Sequence, residues 1–142
     1  MEKLVYRFNY KRTMTTRQKI AIVTGGGSGL GLAIAARFTQ QNIITYIIGR
    51  NQQKLNDAIA ALGPNARAIS SDLTELSLIP TIVDQIVKKE GHIDVLVNNA
   101  GINLKKDFTD VTDEEFQHIL LTNVTSVFSI SREVVKYMLP QH

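Results

Sequence analysis

The sequence predicts an α/β domain built on a doubly wound parallel sheet. Two observations carry this. From Ile20 onward, short apolar runs alternate with longer amphipathic ones, and the alternation repeats four times, the pattern of strand–helix units whose strands lie parallel. A glycine-rich turn follows the first run directly and opens the first amphipathic stretch, as happens where a strand feeds a helix at a ligand-binding rim.

Each element follows in order. Ile20 to Val23 is a continuous apolar run of strand length, and the helix after the turn extends from about Gly29 to Gln41. Its Leu30, Ala33, Ile34, Ala36 and Phe38 are apolar or small, which lets it approach the sheet closely. The second strand is Ile43 to Ile48; Leu55, Ala58, Ile59 and Leu62 then recur at helical spacing until Gly63 and Pro64 end the helix. Ala66 to Ser70 is the third strand. The third helix carries Leu76, Ile79, Ile82, Val83, Ile86 and Val87; Pro80 is tolerable in its first turn, and Gly91 closes it. The fourth strand is Ile93 to Val97.

A polar loop, Ile102 to Val111, leads to Thr112 with Glu115 three residues on. This capping-box pattern starts a long helix reaching about Met138, before Pro140. The helix is apolar on nearly every face, from Phe116 and Leu120 through Phe128 to Val134 and Val135, so it needs cover on more than one side. Right-handed crossovers place the strands in the order 3-2-1-4, the first half of a doubly wound sheet plus one strand across the switch point.

At 142 residues, 44% of them hydrophobic, the chain suits one domain. It has no cysteine, which excludes disulfides, thiolate metal sites and a cysteine nucleophile, and makes a cytoplasmic setting the expectation. The net charge of +3 is uneven: six basic residues face one acidic residue from Met1 to Lys19, and ten face twelve from Ile20 onward. The basic surplus belongs to a leader, residues 1–18, ahead of the folded domain at 19–142, and no nucleic-acid partner is expected. That leader has no apolar signal region. No stretch nears the roughly 18 apolar residues of a membrane span, so no membrane partner is expected either, and Met14 is a natural start.

The turn after the first strand reads Thr24-Gly25-Gly26-Gly27-Ser28-Gly29-Leu30-Gly31. Glycines let a diphosphate lie against the amides of a helix N-terminus, where the helix dipole favours negative charge, and Ser28 adds a hydroxyl donor. Sites that prefer NAD place an acidic residue about 20 positions beyond the glycines. Here there is no Asp or Glu from Leu32 to Asn56, and Arg50, followed by Asn51, stands where a guanidinium meets a 2′-phosphate. NADP is therefore expected over NAD. Ser71-Asp72-Leu73 and Asn98-Asn99-Ala100-Gly101 follow the third and fourth strands. Both lie on the rim where open α/β sheets bind ligands, although either is also ordinary turn chemistry.

Taken together, Thr24-Gly25 with Gly29 and Gly31, Asp72-Leu73, Asn98 to Gly101, and Asn123 in the last helix resemble the short-chain dehydrogenase/reductase family, in order and from about Lys19 to the end. The resemblance implies the N-terminal part of a Rossmann-like sheet whose later strands are missing. It implies that the glycine turn, Asp72, Leu73, Asn99, Ala100 and Gly101 bind the nucleotide, that Asn98 stabilises the sheet, and that Asn123 holds a water in a proton relay. It further implies hydride transfer between NADP(H) and a carbonyl or secondary alcohol, and a homo-oligomer formed through the last helix. Asn98 to Val111 is similar to gluconate 5-dehydrogenase and 3-oxoacyl-carrier-protein reductase relatives.

The family's serine and its Tyr-x-x-x-Lys pair are not found. Tyr6, Tyr10, Tyr46 and Tyr137 are followed four residues on by Tyr10, Met14, Arg50 and Gln141. The 142 residues are therefore expected to be a truncated chain without turnover; the alternative is a non-catalytic nucleotide-binding fragment or pseudoenzyme. A P-loop is excluded because the turn lacks the Gly-Lys-Ser/Thr ending. His92, His118 and His142 form no metal-ligand cluster. Lys105 and Lys106 are solvated charge, and Asp113 to Glu115 favour a helix dipole.

Overall fold

A computed structural model of the chain describes residues 17–141. The leader expected ahead of the domain lies almost wholly outside the described residues, as does His142. Four parallel strands, β1 (Ile20–Thr24), β2 (Ile44–Gly49), β3 (Ala66–Ser70) and β4 (Val95–Val97), stand in the order β3-β2-β1-β4. Five α-helices surround them: α1 (Gly29–Gln40), α2 (Gln52–Leu62), α3 (Ile79–Glu90), α4 (Asp113–Leu120) and α5 (Ser126–Met138).

Strand alternation divides the interior into two cores. Val23 and Ile47 point to one face and pack with Ala35 of α1 and Leu55 and Ala58 of α2. Ile22 and Ile48 point to the other and pack with Val83 and Ile86 of α3 and Ile130 and Val134 of α5. Every residue of β1 is buried, as expected of a strand paired on both sides and covered on both faces.

The helix ends follow local chemistry. The Asn51 side chain caps α2 by accepting from the Lys54 N–H. Thr112 and Glu115 form the expected capping box on α4, and Pro80 sits in the first turn of α3. Gly91 closes α3 at φ 83°, a left-handed cap that suits glycine.

Three expectations are corrected. β2 runs one residue later than expected, to Gly49, whose carbonyl accepts the Ser71 N–H at 2.9 Å. β4 begins at Val95 rather than Ile93: the Asp94 N–H still donates to the Ile20 carbonyl at 2.9 Å, but the Ile20 N–H turns to a side chain instead of a backbone carbonyl. The Asp94 carboxylate accepts the Ile20 N–H at 2.8 Å and pairs with Arg17 at 3.0 Å. The last helix is not one regular helix: a π-helical turn, Leu121–Thr125, separates α4 from α5, with the Ser126 N–H reaching back to the Leu121 carbonyl. It is also covered on one side only. Ile130 and Val134 are buried, while Phe116, Val124, Phe128 and Val135 are exposed.

The entry to the central strand rests on Asp94. Asp94→Ala leaves the Ile20 N–H without its acceptor and is expected to cost about 1–3 kcal/mol in urea unfolding. Asp94→Asn keeps an acceptor and should cost less; an alanine variant with an unchanged midpoint would show that the carboxylate does not hold this entry.

Candidate functional site

The C-terminal ends of all four strands meet at one rim, where a cavity of about 150 Å3 opens. Gly25, Arg50, Asp72, Ala100, Ile102 and Ser126 contribute to its wall. It lies at the switch point, where the chain order reverses between β1 and β4, the place where such sheets bind ligands.

The glycine turn is shaped by two different needs. Gly25 has φ 65°, and its N–H donates to the Ile48 carbonyl at 2.8 Å. A Cβ on Gly25 would stand 2.9 Å from the Ala100 Cα, and one on Gly31 would strike the Gly25 carbonyl and lie 2.5 Å from Asn99 Nδ2. These glycines permit close packing. Gly29 differs: it has φ 54°, and a Cβ there would meet nothing within 4 Å. It leaves open space at the start of α1, where Ser28 makes no capping hydrogen bond and no acidic residue lies in the first turn. Leu30 is 71% exposed beside it.

Thr24 and Asn99 fasten the turn from below. The buried Thr24 hydroxyl accepts the N–H groups of Asn99 and Ala100, each at 3.0 Å, and faces the Val97 carbonyl at 3.4 Å. The Asn99 amide donates to the carbonyls of Thr24 and Gly25 at 3.1 and 3.3 Å. Its side chain is thus committed inside the fold. Asn98 donates to the Ser131 hydroxyl at 3.0 Å and ties the rim to α5.

Arg50 and Asp72 stand on the outer rim, 3.7 Å apart. Asp72 Oδ1 accepts from the N–H and hydroxyl of Thr74, at 2.9 and 2.8 Å. Burial works against the charge on Asp72, but the Thr74 hydrogen bonds and the Arg50 guanidinium outweigh it and hold the carboxyl below the usual carboxylate range. Leu73 turns inward to the core.

Asn123 lies in the π-helical turn. Its Oδ1 accepts the Ile102 N–H at 2.8 Å, and its Nδ2 donates to the Ile102 carbonyl at 2.9 Å. A Cβ on Gly101 would come within 3.2 Å of that Oδ1, so the absence of a side chain at 101 lets the clamp close. Thr74, Ile102, Thr122 and Ser126 also belong to the rim, and the sequence reading did not single them out. For Thr74 the Asp-x-Thr spacing was a usable turn signal. For the helical hydroxyls nothing marked the π-helical turn. Among the described residues no three His, Asp or Glu side chains gather as metal ligands.

Residues 19–142 match the short chain dehydrogenase family. The chain belongs to this family of oxidoreductases. An oxidoreductase of Staphylococcus epidermidis is 34% identical over 88% of this chain and 54% of its own length. The 3-oxoacyl-[acyl-carrier-protein] reductase of Haemophilus influenzae is 37% identical over 85% of this chain and 50% of its own. Among solved structures, an actinorhodin polyketide ketoreductase with NADPH superimposes with a TM-score of 0.84 at 31% identity, covering 89% of this chain and 51% of that one. The chain spans about half the length of the curated relatives it matches.

A short-chain dehydrogenase fold binds a nicotinamide dinucleotide, and the rim fits one. The open space at Gly29 and the uncapped start of α1 suit a diphosphate. Ser71, whose buried hydroxyl has no hydrogen-bond partner among the described residues, borders the same cavity.

Because its pKa lies below the ordinary carboxylate value, Asp72 contributes stability that is fully present above the unfolded pKa, near pH 4. That contribution is lost as pH falls through the folded value. Asp72→Asn should therefore flatten the acid limb of stability against pH below about pH 4, measured by urea unfolding, and leave the neutral plateau without a new slope. An acid limb unchanged by the substitution would show that Thr74 and Arg50 do not favour the ionised form.

Proposed function

We propose that the protein transfers hydride between NADP(H) and a carbonyl or secondary alcohol of a small molecule. Arg50 carries the choice of cofactor. It follows β2 at the rim with its side chain 60% exposed, and no Asp or Glu from Leu32 to Asn56 is present to bind a ribose hydroxyl instead. A guanidinium binds a 2′-phosphate through parallel charge-assisted hydrogen bonds. The ketoreductase with NADPH supports the same choice, and the reductase and dehydrogenase names of the relatives support a carbonyl or hydroxyl substrate.

In this reading Ser28, Gly29, Leu30 and the first turn of α1 hold the diphosphate, and Thr24, Gly25 and Gly31 shape the turn. Arg50 and Asn51 border the adenosine phosphate; Asp72 and Leu73 border the base. Asn99, Ala100 and Gly101 line the ribose side. When bound, the cofactor supplies or accepts the hydride. Asn123 serves the proton relay by the family resemblance, and its clamp on Ile102 fixes the loop beside it. A cytoplasmic setting agrees with the lack of cysteine. The exposed Phe116, Val124, Phe128 and Val135 support a homo-oligomer through α4 and α5. A second reading, nucleotide binding without turnover, is favoured for these 142 residues because none of their tyrosines has a lysine four residues on.

Calorimetric titration with 2′,5′-ADP and 5′-AMP tests the cofactor. The 2′-phosphorylated ligand should bind more tightly, and Arg50→Ala should weaken it by roughly 1.5–3 kcal/mol while changing 5′-AMP little; equal wild-type affinities would rule out the NADP preference. The 142-residue chain should oxidise NADPH with no carbonyl substrate above the uncatalysed rate, since groups that act as a unit are not replaced singly. Clear turnover by the purified chain would mean the reacting groups are misassigned. Sedimentation equilibrium at micromolar concentration should show self-association that Phe128→Glu weakens; a monomer throughout would remove the oligomer proposal.

A further inference from the structure

Asn123 closes on Ile102 from within a widened helical turn. In a regular α-helix the Ser126 N–H would donate to the Thr122 carbonyl, four residues back. Here it passes over that carbonyl and donates to the Leu121 carbonyl, closing the π-helical turn Leu121–Thr125. Such a turn holds one residue more than an α-helical one, and each helical residue rotates the chain by about 100°. α5 therefore keeps Ile130 and Val134 in the core while Asn123 faces Ile102 with both its oxygen and its nitrogen, at 2.8 and 2.9 Å. In an unbroken α-helix one of these two faces would be rotated away.

Widening the turn takes from the Thr122 carbonyl its regular backbone donor. The Ser126 hydroxyl replaces it, donating to that carbonyl at 2.6 Å. Ser126 is only 3% exposed, so water is a poor substitute there, and a buried carbonyl left unpaired is costly. A serine that bonds four residues back is common in helices. What sets this one apart is that its own N–H is engaged elsewhere, so one residue serves two carbonyls. Thr122, Ser126, Gly101 and Ile102 all border the rim cavity, so the turn and the clamp shape the same wall.

We propose that Ser126 is a positioning residue: its hydroxyl holds the π-helical turn by satisfying the Thr122 carbonyl, and through that turn holds Asn123 against Ile102. Its use in the reaction rests on the relay reading of Asn123 above, and the geometry itself does not. The test follows the Ile102 N–H signal by NMR in the full 142-residue chain, with Asn123→Ala giving the position of the open clamp. In Ser126→Ala the signal should move from its wild-type position toward the open one, a clamped-to-open ratio lowered roughly three- to tenfold, the range of one neutral hydrogen bond. In the Asn123→Ala background the same serine substitution should not move it, since the two residues act through one contact. Ser129 is 5% exposed on the same helix, and Ser129→Ala should leave the signal at its wild-type position.

An Ile102 signal unmoved in Ser126→Ala overturns the assignment. So does an equal displacement in Ser129→Ala, which would mark a general loosening of α5, or a displacement that persists without Asn123, which would mean that Ser126 acts by another route. If the double variant does not fold, the side-chain amide signals of Asn123 decide: they should approach those of a solvated asparagine in Ser126→Ala and stay in place in Ser129→Ala, and the reverse overturns the proposal. None of these readouts needs cofactor or turnover. Failure of the relay reading therefore leaves them unchanged, and failure here leaves that reading standing.

Discussion

The fold depends on one small knot of hydrogen bonds across the switch point. The Thr24 hydroxyl ends β1 and accepts two consecutive N–H groups from the segment leaving β4, while the Asn99 amide returns two bonds to the carbonyls of Thr24 and Gly25. β1 and β4 are far apart in sequence and share only a short register, Ala21 to Val23 against Val95 to Val97. The knot extends that pairing past the last backbone ladder bond. It also sets the height of the glycine turn, because Gly25 and Gly31 pack directly against Asn99 and Ala100. Rim geometry and sheet pairing are therefore one problem here.

Much of the fold was legible because burial and periodicity agree in it. β3 has the bounds expected from its sequence, Ala66–Ser70, and the capping box at Thr112 and Glu115 starts a helix as its spacing requires. The strand order β3-β2-β1-β4 agrees with right-handed crossovers in a doubly wound sheet. Errors arose where side chains replaced backbone partners. Asp94 occupies the position of a ladder group beside Ile20, and no apolar pattern records that substitution. The π-helical turn was hidden as well: Leu121 to Thr125 reads as ordinary helix, and what distinguishes it is the backbone bond from the Ser126 N–H to the Leu121 carbonyl, which no residue type announces.

The site was legible in outline and less so in its division of labour. Sequence placed the glycine turn, Arg50, Asp72 and the Asn98 to Gly101 segment together on one rim; of these, Gly25, Arg50, Asp72, Ala100 and Gly101 border one cavity. It could not tell which polar groups face the cavity and which face inward. Thr24 and Asn99 are turned into the fold and Asn51 caps α2, while Gly29 is left facing open space. Those outcomes depend on competition for partners among groups distant in the chain.

The buried Thr24 hydroxyl has a consequence for the timescale on which the rim can open. Asn99 and Ala100 lie beyond the end of β4, yet their N–H groups donate to an atom of a residue only 1% exposed, at the end of the central strand. Those amides exchange only when their bonds to the Thr24 hydroxyl open. In hydrogen exchange these two positions are therefore expected to be slower than loop amides without a buried acceptor. A segment drawn as a connection is, kinetically, part of the strand that precedes it.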